Sequence, residues 1–196
     1  MDRRVIGALV AVAVGSTLGC APGSATIKST KREGYDQKLG KTMLLVELPR
    51  LEGDLVKAFK ATLQKELALR GAETRFAVLA DDLAVDTGPS VKKQAEDFGA
   101  SWVLAILPNG GTVNQYGGVV RARMDTQLHD LKLGKIVWRA AVDYTPGSIE
   151  VPVEFRAEVL CYEFIVAMVS DGVLRGPLPA KPERLPEPTV RSAQDR

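Results

Sequence analysis

Met43-Leu44-Leu45-Val46-Glu47-Leu48, stopped by Pro49, is a short apolar run of the kind that forms a strand buried on both faces. A helix pattern follows it directly. Asp54 stands at a capping position, and Leu55, Phe59, Leu63 and Leu67 recur every fourth residue. Lys57, Lys60, Gln64 and Glu66 fall mostly elsewhere, and Gly71 sits where a helix commonly takes its left-handed stop. A buried strand feeding a helix is the first half of a right-handed crossover to a parallel strand. That unit decides the fold class.

Reading outward toward the C-terminus, Glu73–Leu79 alternates Thr74, Phe76 and Val78 against Glu73 and Arg75, as a strand near a sheet edge does. Ser90 suits the cap of a short helix running to Phe98 and ended by Gly99. Trp102–Leu107 (WVLAIL) is a second buried strand. The pattern then changes to half-buried alternation. Ala122, Met124, Thr126 and Leu128 alternate with Arg121, Arg123, Gln127 and His129, and Ile136, Trp138, Ala140, Val142 and Tyr144 alternate with Arg139 and Asp143. Asp130–Lys135 joins them, with Gly134 free to adopt the positive φ of a tight hairpin. A last helix over Val151–Gly172 carries Phe155, Val159, Tyr162, Val166 and Val169 as its stripe. The order β-α-β-α-β-β-β-α predicts an α/β fold: a mixed five-stranded sheet, strand order 2-1-3-4-5, covered by three helices.

Outside this domain, predicted over Thr42–Leu174, the composition loosens. Ala21–Lys41 is rich in Gly, Ser, Thr and charge with no sustained period, and reads as a flexible tether reaching about 25 Å. Pro177, Pro179, Pro182, Pro186 and Pro188 recur through Arg175–Arg196, which predicts an extended, disordered tail.

Asp2, Arg3 and Arg4 with the terminal amine make a net-positive start, followed by the uncharged stretch Val5–Leu18, too short to span a bilayer core but suited to a secretory signal over residues 1–19. Ser16-Thr17-Leu18-Gly19-Cys20 closes it and resembles the lipobox of bacterial lipoproteins. The resemblance implies cleavage before Cys20, a thioether-linked diacylglycerol on its sulfur and usually a third acyl chain on its new amine. An ordinary secretory signal or an uncleaved anchor is the alternative. By the sorting rule of that family, Ala21 after the cysteine permits transfer to the outer membrane, on its periplasmic face.

Without Arg3, Arg4 and Asp2, the 26 basic and 24 acidic side chains become 24 and 23, a balance that argues against a nucleic-acid binder. With Cys20 acylated only Cys161 is left, so no intramolecular disulfide can form and the core alone must hold the domain.

Several further stretches carry an architectural resemblance. They are Ala58-Phe59-Lys60-Ala61-Thr62-Leu63 leading to Leu69-Arg70-Gly71, then Gly99-Ala100-Ser101-Trp102-Val103-Leu104, and the hairpin Leu131-Lys132-Leu133-Gly134-Lys135-Ile136-Val137-Trp138. With a lipobox cysteine they resemble a group of envelope proteins. It comprises the curli-secretion-channel lipoprotein, the outer-membrane lipoprotein activator of penicillin-binding proteins and the N-terminal domain of the Tol-system translocation protein. The resemblance implies an envelope role. No pair of extra alternating segments is free to build a membrane-spanning barrel, which argues against a pore.

The chain is poor in reactive groups. His129, the one histidine, falls on a polar strand face with no orienting partner, and Cys161 lies among apolar residues of the last helix. Asp81, Asp82 and Asp86 lack the spacing of a calcium loop, and Asn109-Gly110-Gly111 and Gly117-Gly118 lead into a strand rather than the helix a phosphate loop needs. No Gly-x-Ser-x-Gly elbow or HExxH pair is present. The reading predicts no enzyme, no metal and no cofactor. Candidate interaction residues are Tyr116 on a glycine-rich loop, Trp102 at the start of the second buried strand, and Arg121, Arg123 and Arg139. These arginines share one outer sheet face with Asp125 and Asp143, and either meet an acidic partner or form a solvated, salt-laced surface. The expected function is a non-enzymatic adaptor, assembly factor or regulator bound to the membrane by its lipid and to an envelope protein. A small-ligand or glycan binder and a subunit of an oligomeric export apparatus are the alternatives.

Overall fold

The computed structural model describes residues 22–79 and 87–183. The elements in order are β1 (Pro22–Lys31), β2 (Thr42–Val46), α1 (Gly53–Leu69), β3 (Thr74–Phe76), α2 (Thr87–Phe98), β4 (Trp102–Val113), β5 (Val119–Asp130), β6 (Lys135–Gly147) and α3 (Val153–Ser170). They form one mixed sheet in the order β1-β6-β5-β4-β2-β3. β2 is parallel to β3 and β4, and the remaining pairs are antiparallel.

The sheet has six strands, not five. The five expected ones keep their relative order, and the sixth, β1, is added beyond β6 at the edge. It lies inside the stretch expected to be a tether, which corrects that boundary. Ala25 and Ile27 point toward the helices while Ser24, Thr26, Lys28 and Thr30 face water. An edge strand solvated on one face is polar enough by composition to look like a linker. The rest of the stretch is also folded in: Tyr35 and Leu39 are buried, Leu39 N–H donates to the Val173 carbonyl at 2.9 Å, and the Lys38 ammonium donates to the Gly172 carbonyl.

α1 and α3 cover one face of the sheet. Phe59 and Phe164 meet between them with ring centroids 5.6 Å apart, and Leu63, Leu104, Met124, Trp138 and Tyr144 complete a core that excludes water. Burial pushes the Tyr144 phenol up to about 12, and its hydroxyl donates to the Arg156 carbonyl at 3.2 Å. α2 covers the second face only where Met43, Val91, Ala95, Phe98 and Val103 form a smaller core. Over β5, β6 and β1 that second face carries no helix among the described residues.

Helix ends depart from expectation in two places. Asp54 lies in the first turn of α1 rather than capping it; Glu52 is the cap residue, and the Asp54 carboxylate is 3.3 Å from the Lys57 ammonium. Ser90 lies inside α2, where its hydroxyl accepts from the Gln94 amide at 3.3 Å. Gly71 does take the left-handed φ of 79° that ends α1. Residues 175–183 form no helix or strand, and the Arg70 guanidinium donates to the Pro177 carbonyl at 3.3 Å. The last part of the expected tail, 184–196, lies outside the described residues.

Candidate functional site

The long hairpin of β4 and β5 outruns the parallel strands β2 and β3. Pairing shifts between Pro108 and Gly111, and Gly111 is required there because a Cβ would collide with the backbone oxygen of Arg121. Three residues of β5 beyond the Gly111–Ala122 pair carry the turn outward by roughly 10 Å. Asn114 holds that turn: its side-chain oxygen accepts from the Tyr116 N–H at 3.0 Å and the Gly118 N–H at 2.9 Å. Tyr116 is therefore displayed on a fixed backbone, 86% exposed, with Val113 and Val120 exposed beside it. The glycine-rich loop expected from the sequence is thus mostly strand, with a short locked turn.

Alternation along β5 and β6 sets the arginines on the uncovered face. Arg121 grips the Asp143 carboxylate through Nε and Nη2 together, and Arg123 Nε lies 3.8 Å from the same carboxylate. The Arg121 hydrogen bonds hold Asp143 below the usual carboxylate range, and the same carboxylate raises Arg121. Arg139 shares the face, opposite Gln127, four residues along β6 and about 13 Å from Asp143. The three expected arginines thus form one pair and one outlier. Lys28 of β1 joins the same face.

His129 is half-buried rather than exposed. Burial, and secondarily the Arg139 charge, lower its pKa. Cys161 is buried and burial pushes its thiol up, so it is held as the neutral thiol. Trp102 and Tyr116 do not meet. Trp102 starts β4 and donates to the Tyr35 hydroxyl at 2.7 Å, at the end of the sheet opposite the hairpin turn.

One shallow cleft lies at the hairpin base and another beside the β2–α1 connection. The first, of about 340 Å³, lies between Leu48–Leu51 and Pro108, Ala122 and Met124, and the other, of about 390 Å³, lies between Leu48 and Lys60. Among the described residues no three His, Cys, Asp or Glu side chains gather as metal ligands, and no helix is long and apolar enough to cross a membrane. Cys20 and the Asp81, Asp82 and Asp86 cluster lie outside the described residues. The sequence reading missed Ile149, 88% exposed in the β6–α3 connection, because an isolated apolar residue in a loop carries no periodic signal. The arrangement can present charge and apolar side chains to a partner, and among the described residues it aligns no nucleophile with a base.

No protein-family model matches the chain, and no curated protein matches it. Among solved structures, the PelC dodecamer from Paraburkholderia phytofirmans overlaps at a TM-score of 0.49 and 16% identity, covering 78% of this chain and 99% of that one. Lipoprotein GNA1162 from Neisseria meningitidis overlaps at 0.41 and 20% identity, covering 67% and 99% respectively. Neither overlap is strong enough to assign the chain to a family.

Proposed function

We propose that this chain is an envelope lipoprotein, held on the periplasmic face of the outer membrane by acyl chains on Cys20. Its domain serves, without chemistry of its own, as an adaptor, assembly factor or regulator for another envelope protein. The observation that carries the reading is Gly19-Cys20 set directly behind the uncharged stretch Val5–Leu18 and the basic start Arg3-Arg4. Two or three acyl chains on one residue give lasting attachment, where a single chain gives only marginal binding. The uncovered sheet face supports the partner half of the proposal. Lys28, Arg121, Arg123 and Arg139 outnumber Asp125 and Asp143 there, so the surface favours an acidic partner.

The test is purification from detergent-solubilised membranes after growth on labelled fatty acid. Label on the wild-type chain, its loss in Cys20→Ser, and recovery of one stoichiometric protein partner are expected. Reproducible recovery of an unlabelled chain alone defeats the proposal.

A further inference from the structure

The place where β1 begins fixes where an acyl anchor can be. Pro22 pairs with Gly147, three residues beyond Tyr144 on β6. Tyr144 pairs with Ala122, and Val119, which faces Val113 across the hairpin, is three residues beyond Ala122 on β5. Pro22 therefore lies at the same end of the sheet as the hairpin turn and at a similar height along the strands. Only Ala21 separates Pro22 from Cys20, so the cysteine lies within about 7 Å of Pro22 however the chain runs. An anchor on Cys20 is therefore joined to the sheet through one intervening residue.

That same end displays Tyr116, Val113 and Val120 on the hairpin and Ile149 on the β6–α3 connection, all exposed. Exposed apolar residues gathered at one end of a domain mark a contact surface. Tyr is suited to the headgroup level, with an apolar ring and a polar tip. Arg50, Arg121 and Arg123 stand exposed near this end against Glu150 and Asp143, with Arg121 paired to Asp143, so the apolar residues sit beside a small positive excess. The opposite end exposes Leu133 in its turn and is tied together by the buried Tyr35–Asp130 and half-buried Trp102–Tyr35 hydrogen bonds.

We infer that the hairpin end of the sheet is seated in the lipid surface, with Tyr116, Val113, Val120 and Ile149 at headgroup depth, so the domain stands in one orientation on its membrane. This rests on acylation of Cys20. It presents the sheet face bearing Arg121 and Arg123 edge-on to the lipid, where a partner reaching the membrane can meet it.

The experiment uses the full mature protein, acylated in its host and reconstituted into vesicles of phosphatidylethanolamine and phosphatidylglycerol. A polarity-sensitive fluorophore is attached at Tyr116→Cys or, in a second preparation, at Leu133→Cys in the turn at the far end of the sheet; both native side chains are exposed and Cys161 is buried. The label at 116 should shift to shorter wavelength, lose iodide quenching several-fold and be quenched by nitroxide-bearing lipid. The label at 133 should respond to iodide alone. Equal behaviour of the two labels on a chain whose N-terminal peptide has the mass of acylated Cys20 overturns the orientation and leaves the anchor standing. Shielding at 116 without nitroxide quenching assigns the surface to a protein and likewise overturns it. An unmodified Cys20 overturns the anchor, and the orientation with it.

Discussion

Tyr35 donates its phenolic hydrogen to the Asp130 carboxylate at 3.0 Å while accepting from the Trp102 indole at 2.7 Å, joining the segment after β1 to the starts of β4 and the β5–β6 turn. Asp130 also accepts from the backbone N–H groups of Lys132 and Leu133, so one carboxylate holds both the turn and the tyrosine. Burial, the largest influence, raises the Tyr35 pKa.

Tyr35→Phe keeps the ring and removes both hydrogen bonds, leaving the Trp102 N–H and one Asp130 oxygen without this partner. The expected cost is about 1–3 kcal/mol. Chemical denaturation should record a lower midpoint with an unchanged slope. An unaltered midpoint would mean the segment is not part of the cooperative unit.

Thr126 is fully buried among Ile106, Leu128 and Ala140, and its hydroxyl has no partner among the described residues. Thr126→Val removes a desolvated polar group at nearly constant volume and should stabilise the domain by about 1 kcal/mol, or roughly 3 °C in thermal midpoint. Thr126→Ser keeps the hydroxyl, removes a methyl and should lower the midpoint. The two substitutions in opposite directions make the check.

His129 is held below its ordinary pKa by burial and the Arg139 charge, so the folded chain binds fewer protons than the unfolded one at mildly acidic pH. Its contribution to stability is complete above about pH 6.5 and is lost as pH falls from there through the folded-state value. Denaturation midpoints at about pH 7.5 and 6 should therefore differ less in His129→Gln than in the wild type. Glu163 works in the opposite sense at lower pH, since burial raises its carboxyl, and the window stays above that range.

Arg121 and Arg123 meet Asp143 in the open, where ion pairs add little to folding. Arg121→Glu with Arg123→Glu should leave the thermal midpoint close to wild type and, if the proposed function holds, abolish recovery of a protein partner from solubilised membranes. Undiminished recovery would remove this face from the interaction surface.

Much of the sheet could be read in advance because its strands announce themselves by burial. WVLAIL and MLLVEL are apolar on both faces, and the β5 and β6 runs alternate cleanly between core and water. β1 was hidden because only Ala25 and Ile27 give its inner face away; Ser29 and Lys31 continue that face without apolar side chains. Its partner β6 supplies the order that its own composition does not. The outward arginines followed from the same alternation, but their division into a pair around Asp143 and a distant Arg139 depends on cross-strand register, which no single strand encodes. Ser90 and Asp54 look like caps in isolation; each helix starts earlier than these residues suggest, so both lie within it.

The first strand to leave the ribosome is completed by the last: Ile27 has no sheet neighbour until Val142 arrives. Such a distant pairing delays closure of the sheet until nearly the whole domain has been synthesised. During that interval the β1 residues have no strand beside them to pair with. The edge nearest the N-terminus is thereby the last part of the sheet to close.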